Sequence, residues 1–159
     1  MLKIISGGQT GVDRAALDAA LDLGLPCGGW CPEGRLAEDG AIPAHYPVTE
    51  LQGSRYSQRT KRNIIDSNAT LIVFHDVPTG GTALTVKFCT QLSKTHLLIN
   101  ISDLTAGSAL TLLQQFIQDH SVNILNVAGP RLSSSPLSRP FTYSLIHSLL
   151  KTHYQEESL

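Results

Sequence analysis

The sequence predicts a single α/β domain, a three-layer sandwich built on a mostly parallel five-stranded sheet. Three observations carry this expectation. Short apolar, β-branched runs alternate with segments of helical period along all 159 residues. Two of the strands run directly into glycine-rich turns that open helices, Ser6–Gly11 and Pro78–Thr82. A third glycine turn, Ala128-Gly129-Pro130-Arg131, follows the last strand.

Taken in order, Leu2 to Ile5 reads as the first strand. The helix that begins at Val12 repeats Ala15, Ala16, Ala19, Ala20 and Leu23 on one face, and Leu23-Gly24-Leu25-Pro26 stops it. Cys27 to Trp30 reads as a short second strand. Cys31 to Tyr46 reads as a long polar loop, a length common at functional positions. Arg55 to Ser67 is predicted helical, with Arg55, Arg59 and Arg62 along one face. Thr70 to Phe74 is a continuous apolar run, as a buried parallel strand requires. After it come a helix from about Ala83 to Ser93, a strand from Leu97 to Ile101 and an amphipathic helix from Gly107 to His120. A last strand, Asn123 to Val127, precedes a closing helix from Leu137 to Tyr154, and Gln155 to Leu159 are expected to fray. The predicted order of the five strands is 2-1-3-4-5. In that order the first and third strands flank the switch point, and their two glycine loops share one sheet edge.

Composition narrows the function. With 42% hydrophobic and 16% charged residues the chain supports an ordinary core. A formal net charge of −1 supplies no global field for nucleic acid or anionic membrane. No apolar run has the length of a membrane span, and the N-terminal residues do not form a signal peptide. The odd cysteine count, Cys27, Cys31 and Cys89, fits free thiols in a cytoplasmic protein. Cys27 and Cys31 have no second pair at zinc spacing, so no metal ligands are assigned.

The chemistry is expected at the glycine loops. A strand–Gly loop–helix unit aims unpaired N–H groups at the positive end of a helix, where an anion or phosphate binds. Gly7, Gly8 and Gly11 allow close approach of backbone to ligand, and Ser6, Gln9 and Thr10 add side-chain donors. The second loop offers Thr79, Gly80, Gly81 and Thr82 in the same way. The simpler alternative is two tight turns without a ligand. Asp13 is either a first-turn cap or a contact to ligand hydroxyls. Arg14, Arg35 and Arg59 are candidates for a charge-assisted bond to a phosphate. Glu38 and Asp39 could accept N–H bonds from a heterocycle, or be solvated loop charges. Trp30 could stack on such a ring, or belong to the core.

Ile5-Ser6-Gly7-Gly8-Gln9-Thr10-Gly11-Val12-Asp13-Arg14-Ala15-Ala16-Leu17-Asp18 resembles the opening of the molybdenum carrier family, the circularly permuted YpsA-type branch of the SLOG superfamily. Further stretches resemble it in the expected order: Gly28-Gly29-Trp30-Cys31-Pro32 with Gly34-Arg35 and Ala37-Glu38-Asp39-Gly40; Tyr56 with Arg59-Thr60; Thr79 to Ala83; and Leu125 to Arg131. The resemblance implies a Rossmann-like fold, a homodimer or homotetramer, and binding of a phosphorylated small molecule. By family name that ligand is the molybdenum cofactor (molybdopterin); otherwise it is a phosphorylated, nucleotide-like molecule. Related phosphoribohydrolases carry Pro-Gly-Gly-x-Gly-Thr-x-x-Glu. Here Thr85 stands in place of the glutamate, and a neutral hydroxyl cannot do the work of that carboxylate. The expectation is therefore a carrier without catalytic residues. Its alternatives are a nucleotide-processing enzyme, with Glu33, Glu38 or Asp39 as the carboxylate, and a sensor of a nucleotide-derived signal. Apolar Leu145, Ile146, Leu149 and Leu150 on the closing helix are a second, weaker motive for an oligomer.

Overall fold

The computed structural model describes all residues, 1–159. β1 (Lys3–Ile5) leads through the first glycine loop into α1 (Val12–Asp22). The segment read as one long loop is partly ordered in short strands. β2 (Cys27–Gly28) is followed by β3 (Trp30–Pro32), a 3-10 turn, β4 (Leu36–Ala37), β5 (Gly40–Ala41) and β6 (Thr49–Leu51). Then come α2 (Tyr56–Asp66), β7 (Ala69–Phe74), α3 (Gly80–Gln91), β8 (His96–Asn100), α4 (Ala106–Asp119), β9 (Ile124–Ala128) and α5 (Ser138–Glu157).

Five parallel strands form the main sheet in the order β2-β1-β9-β7-β8. Helices cover both faces. Leu71 and Val73 of β7 join the core beneath α1, α4 and α5, while Ile72 between them packs with Ile64 of α2 and Cys89 of α3. This is the doubly wound α/β sandwich that the sequence predicts. The last strand departs from the predicted order. Counting only the five sheet strands, the order is 2-1-5-3-4, with β9 between the first and third strands instead of at the edge. Burial gives the reason. Leu125 and Val127 of β9 are both 0% exposed and need neighbours on each side, whereas Leu98 of β8 is 43% exposed and tolerates the edge.

Two shorter pairings lie outside the main sheet. β3 pairs in parallel with β6, and β4 with β5 as a hairpin. Leu145, Ile146, Leu149 and Leu150 of α5 are all buried within this chain's own core, so they offer no apolar face to a second copy. The C-terminal segment continues α5 as far as Glu157. Tyr154 Oη donates to the Leu2 carbonyl at 3.1 Å, and the N-terminal ammonium meets Glu157 at 3.1 Å. No helix is long and apolar enough to cross a membrane. Cys27, Cys31 and Cys89 are free and buried, and no cluster of three His, Cys, Asp or Glu side chains could hold a metal ion.

Candidate functional site

A cavity of about 280 Å³ opens where β1, β7 and β9 end. In open α/β sheets this edge is the usual ligand position. Because β9 lies between β1 and β7, the two glycine loops are separated by roughly 10 Å, two strand spacings. The turn after β9 therefore becomes a third wall, and α2 supplies a fourth.

The second glycine loop is the open wall. α3 begins at Gly80, three residues earlier than the apolar pattern suggests, so Gly80 and Gly81 are its first two residues. Thr79 precedes it without a side-chain cap. The first helical bonds to form here are from Thr82 N–H and Ala83 N–H, both to the Thr79 carbonyl. The N–H groups of Gly80 and Gly81 have no intramolecular acceptor, and both residues line the cavity at the positive end of the helix. Gly80 has φ of +52°, and a β-carbon added at Gly80 or Gly81 would meet no heavy atom within 4 Å. Thr85, one turn on, lines the cavity but spends its hydroxyl on the Gly81 carbonyl at 2.9 Å.

Opposite stands a buried ion pair. Arg59 of α2 reaches Asp13 of α1, Nη1 to Oδ2 at 3.4 Å, and both side chains line the cavity. A β-carbon at Gly7 would lie 1.6 Å from Arg59 Nη1, so only glycine admits the guanidinium here. Arg59 Nε is buried and has no hydrogen-bond partner in the protein. Asp13 also accepts the Gln9 N–H at 3.2 Å. Burial pushes the Asp13 carboxyl above its ordinary range, against the opposing pull of Arg59 and that N–H. Asn126 of β9 lines the cavity from beneath, with its amide donating to Thr70 Oγ1 at 3.3 Å.

The first glycine loop is partly closed by acceptors from within the chain. Gly8 N–H goes to Ser6 Oγ, Gln9 N–H to Asp13, and Val12 N–H to the Pro130 carbonyl. The Asp13 carboxylate thus takes a place where the sequence reading puts a bound anion. Of this loop's candidates, Gly7, Gln9 and Asp13 reach the cavity, and Ser6, Gly8, Thr10, Gly11 and Arg14 do not. Ser6 Oγ donates to the Asp13 carbonyl at 2.9 Å. Gly11, at φ +83°, has room for no side chain, because a β-carbon would lie 2.5 Å from the Pro130 carbonyl oxygen. Arg14 is committed elsewhere, with Nε on the Gly8 carbonyl and both Nη atoms on Asp39 at 2.6 and 2.9 Å.

Five further candidates lie outside the cavity. Glu38 clamps the segment after β9, accepting from the Thr10 hydroxyl, from Ser133 Oγ at 2.5 Å and from Ser133 N–H at 3.2 Å. The Ser133 hydroxyl foremost, then that of Thr10, holds the Glu38 carboxyl below its usual range; the Arg14 guanidinium does the same for Asp39. Neither carboxylate is free to read a heterocycle, and neither has the raised pKa of a general acid. Glu33, the third carboxylate considered, accepts the Gly53 N–H at 3.3 Å and also lies outside the cavity. Arg35 donates to the carbonyls of Ile42, Pro43, Tyr46 and Val48, which pins the 42–48 segment. Trp30 is fixed against α2, with Nε1 on Asp66 at 2.8 Å and the Arg62 guanidinium 5.1 Å from its ring.

The cavity also holds groups that the sequence reading did not select: Tyr56, Thr60, Asn126 and Arg131. Arg131 could have been found from its place directly after the third glycine turn. Gly129 is required there, since a β-carbon would sit 2.4 Å from the Val73 carbonyl oxygen. Asn126 had a weaker signal, a polar residue inside an apolar strand.

Comparison with known proteins agrees with this architecture. The circularly permutated YpsA SLOG family matches residues 4–150. Among solved structures, the 1.45 Å crystal structure of a protein named "putative molybdenum carrier protein", from Syntrophus aciditrophicus SB, is similar at 44% sequence identity. The match covers 94% of this chain and 95% of that one, with a TM-score of 0.91. No curated protein matches the chain. The family match and the structural match both extend over nearly the whole chain, and the chain belongs to the circularly permutated YpsA SLOG family.

Proposed function

We propose that this protein is a carrier that binds a phosphorylated small molecule, the molybdenum cofactor in the first instance, with the phosphate on the α3 N-terminus and Arg59. The observation that carries the reading is the buried Arg59 Nε without a partner, in the same cavity as two free, uncapped N–H groups on open glycines. A phosphate in this cavity would offer separate oxygens to the two walls, one toward Arg59 and another toward the helix N-terminus. The charged groups on the wall favour an anion, with Arg59 and Arg131 against the single carboxylate of Asp13. The volume lies near the lower end of small-molecule pockets, roughly 300–1,000 Å³. That suits one ring system with one phosphate better than a dinucleotide. Any metal would be held by the ligand's own atoms, because the protein groups no ligand set. The bound cofactor would bring molybdenum redox chemistry; this chain's residues would hold its phosphate and shield it from water.

Native mass spectrometry of freshly purified protein, with elemental analysis for molybdenum and tungsten, tests the reading. A phosphorylated pterin mass carrying either metal is the expected result. Gly80→Asp, which sets a carboxylate at the helix end, should abolish binding while circular dichroism shows an intact fold. Unchanged binding in that folded variant removes the helix end as the phosphate site.

One observation favours an enzyme as the second reading. The carboxylate missing at Thr85 is present across the cavity at Asp13, buried and with a raised pKa. Release of free base from a nucleoside monophosphate, lost in Asp13→Asn, would put this reading first.

A further inference from the structure

We propose that Tyr56 and Arg131 form a clamp for a planar heterocycle, so that the site selects phosphate esters of aromatic ring systems over sugar phosphates. The inference rests on the anion site of the previous section and adds what recognises the rest of the ligand. Tyr56, the first residue of α2, is the one aromatic residue lining the cavity and is 40% exposed. Two guanidinium groups lie over it, the carbon of Arg59 at 5.9 Å and that of Arg131 at 6.0 Å from the ring centre.

The two arginines differ in freedom. Arg59 is held by Asp13 and seated against Gly7. The arginine ion pairs are those of Arg14, Arg59, Arg62 and Arg139, so Arg131 has none, and its side chain is exposed. At 6.0 Å the contact of Arg131 with Tyr56 is at the outer limit of a cation–π interaction. A flat ring inserted between them needs about 7 Å, two contacts of about 3.5 Å each. Arg131, exposed and without an ion pair, can move outward to open that gap, which places tyrosine on one face of the inserted ring and guanidinium on the other. Trp30, the other aromatic considered for this role, is already covered by Arg62 and bonded to Asp66.

The test compares two probes that share a phosphate and differ by a ring, AMP and ribose 5-phosphate, by isothermal titration. Wild-type protein should bind AMP at least ten-fold more tightly. Tyr56→Leu should weaken AMP by about 5- to 150-fold, the range for one stacked base, and leave ribose 5-phosphate unchanged. Tyr56→Phe keeps the ring and should keep the preference, which separates stacking from any effect on folding. Arg131→Ala should also weaken AMP more than ribose 5-phosphate. Equal loss of both probes in Tyr56→Leu or Arg131→Ala overturns the clamp, as does equal wild-type affinity for the two, while leaving the anion site standing. Failure of wild-type protein to bind either probe overturns the anion site itself, and the clamp with it.

Discussion

The two glycine loops look alike in sequence and behave oppositely in the structure. In Ser6–Gly11 the glycines are surrounded. Gly7 makes room for Arg59, Gly11 for the Pro130 carbonyl, and the N–H groups of Gly8, Gln9 and Val12 are used internally, although those of Gly7, Thr10 and Gly11 have no intramolecular acceptor. In Thr79–Thr82 the glycines are bare, and the N–H groups of Gly80 and Gly81 have no intramolecular acceptor. A glycine-rich turn at a helix start thus serves either packing or ligand binding. What decides is whether the protein brings its own acceptors to the turn. In the first loop Asp13 supplies the anion from within the chain; in the second, nothing does.

The comparison breaks most sharply on matched substitutions. Gly11→Ala forces a methyl against the Pro130 carbonyl at a φ of +83°. Backbone strain and overpacking of about 1–3 kcal/mol each should together cost about 3 kcal/mol. In a chain of this size that lowers the melting temperature by about 6–12 °C. Gly81→Ala puts its methyl into open space within a helix and should gain up to about 1 kcal/mol, while reducing anion affinity through the same methyl. Thermal melts with a phosphate titration on both variants check this. Equal melting temperatures would erase the distinction between the loops.

Arg59→Met sharpens it next. The variant keeps most of the side-chain volume and removes the charged donor shared by the cavity and Asp13. Loss of a charge-assisted bond, about 1.5–3 kcal/mol, should weaken phosphate-ester binding about 10- to 150-fold. Arg14→Met is the control. Its guanidinium serves Gly8 and Asp39 outside the cavity, so it should cost stability and spare binding. Titration calorimetry on both variants separates the two arginines, and a larger binding loss in Arg14→Met would reverse their roles.

These contrasts also explain what the sequence could reveal. The fold class was legible because each strand and helix carries its own period, and because glycine turns mark the strand ends. The place of β9 was not, since an apolar pattern marks a strand as buried without naming the strands that flank it. Loop positions were legible and loop occupancy was not. The acceptors that close the first loop come from Asp13 nearby and from Pro130, near the opposite end of the chain. Glu38 and Asp39 looked available for the same reason, because Ser133 and Arg14 are remote in sequence. Tyr56 belonged to the family resemblance without a role of its own; its significance arises when the turn after β9 brings Arg131 over its ring.

The smallest expected effect is a pair of pH dependences of opposite sign. Glu38 and Asp39 have folded-state pKa values below their ordinary 4.5 and 3.8. Their stabilisation is complete above those ordinary values and is lost as pH falls through the lower folded ones. Both carboxylates are largely exposed, so the change should be modest. It should appear as faster amide exchange in the Leu36–Ala41 hairpin and at Leu132 and Ser133 below about pH 4, and Glu38→Gln should remove the dependence at Ser133. Asp13 runs the other way. Burial raises its folded pKa above 3.8, so its contribution is complete below that value and is lost as pH rises through the folded pKa. A ligand phosphate adds negative charge near Asp13, which favours its protonated form further. Phosphate-ester binding should therefore be accompanied by proton uptake, visible as a dependence of calorimetric enthalpy on buffer ionisation heat. Measured where the ester is already a dianion, well above its second pKa of about 6, the dependence should be abolished by Asp13→Asn. If it persists unchanged in the variant, Asp13 is not the group that accepts the proton, and the internal carboxylate of the first loop is uncoupled from the open helix end of the second.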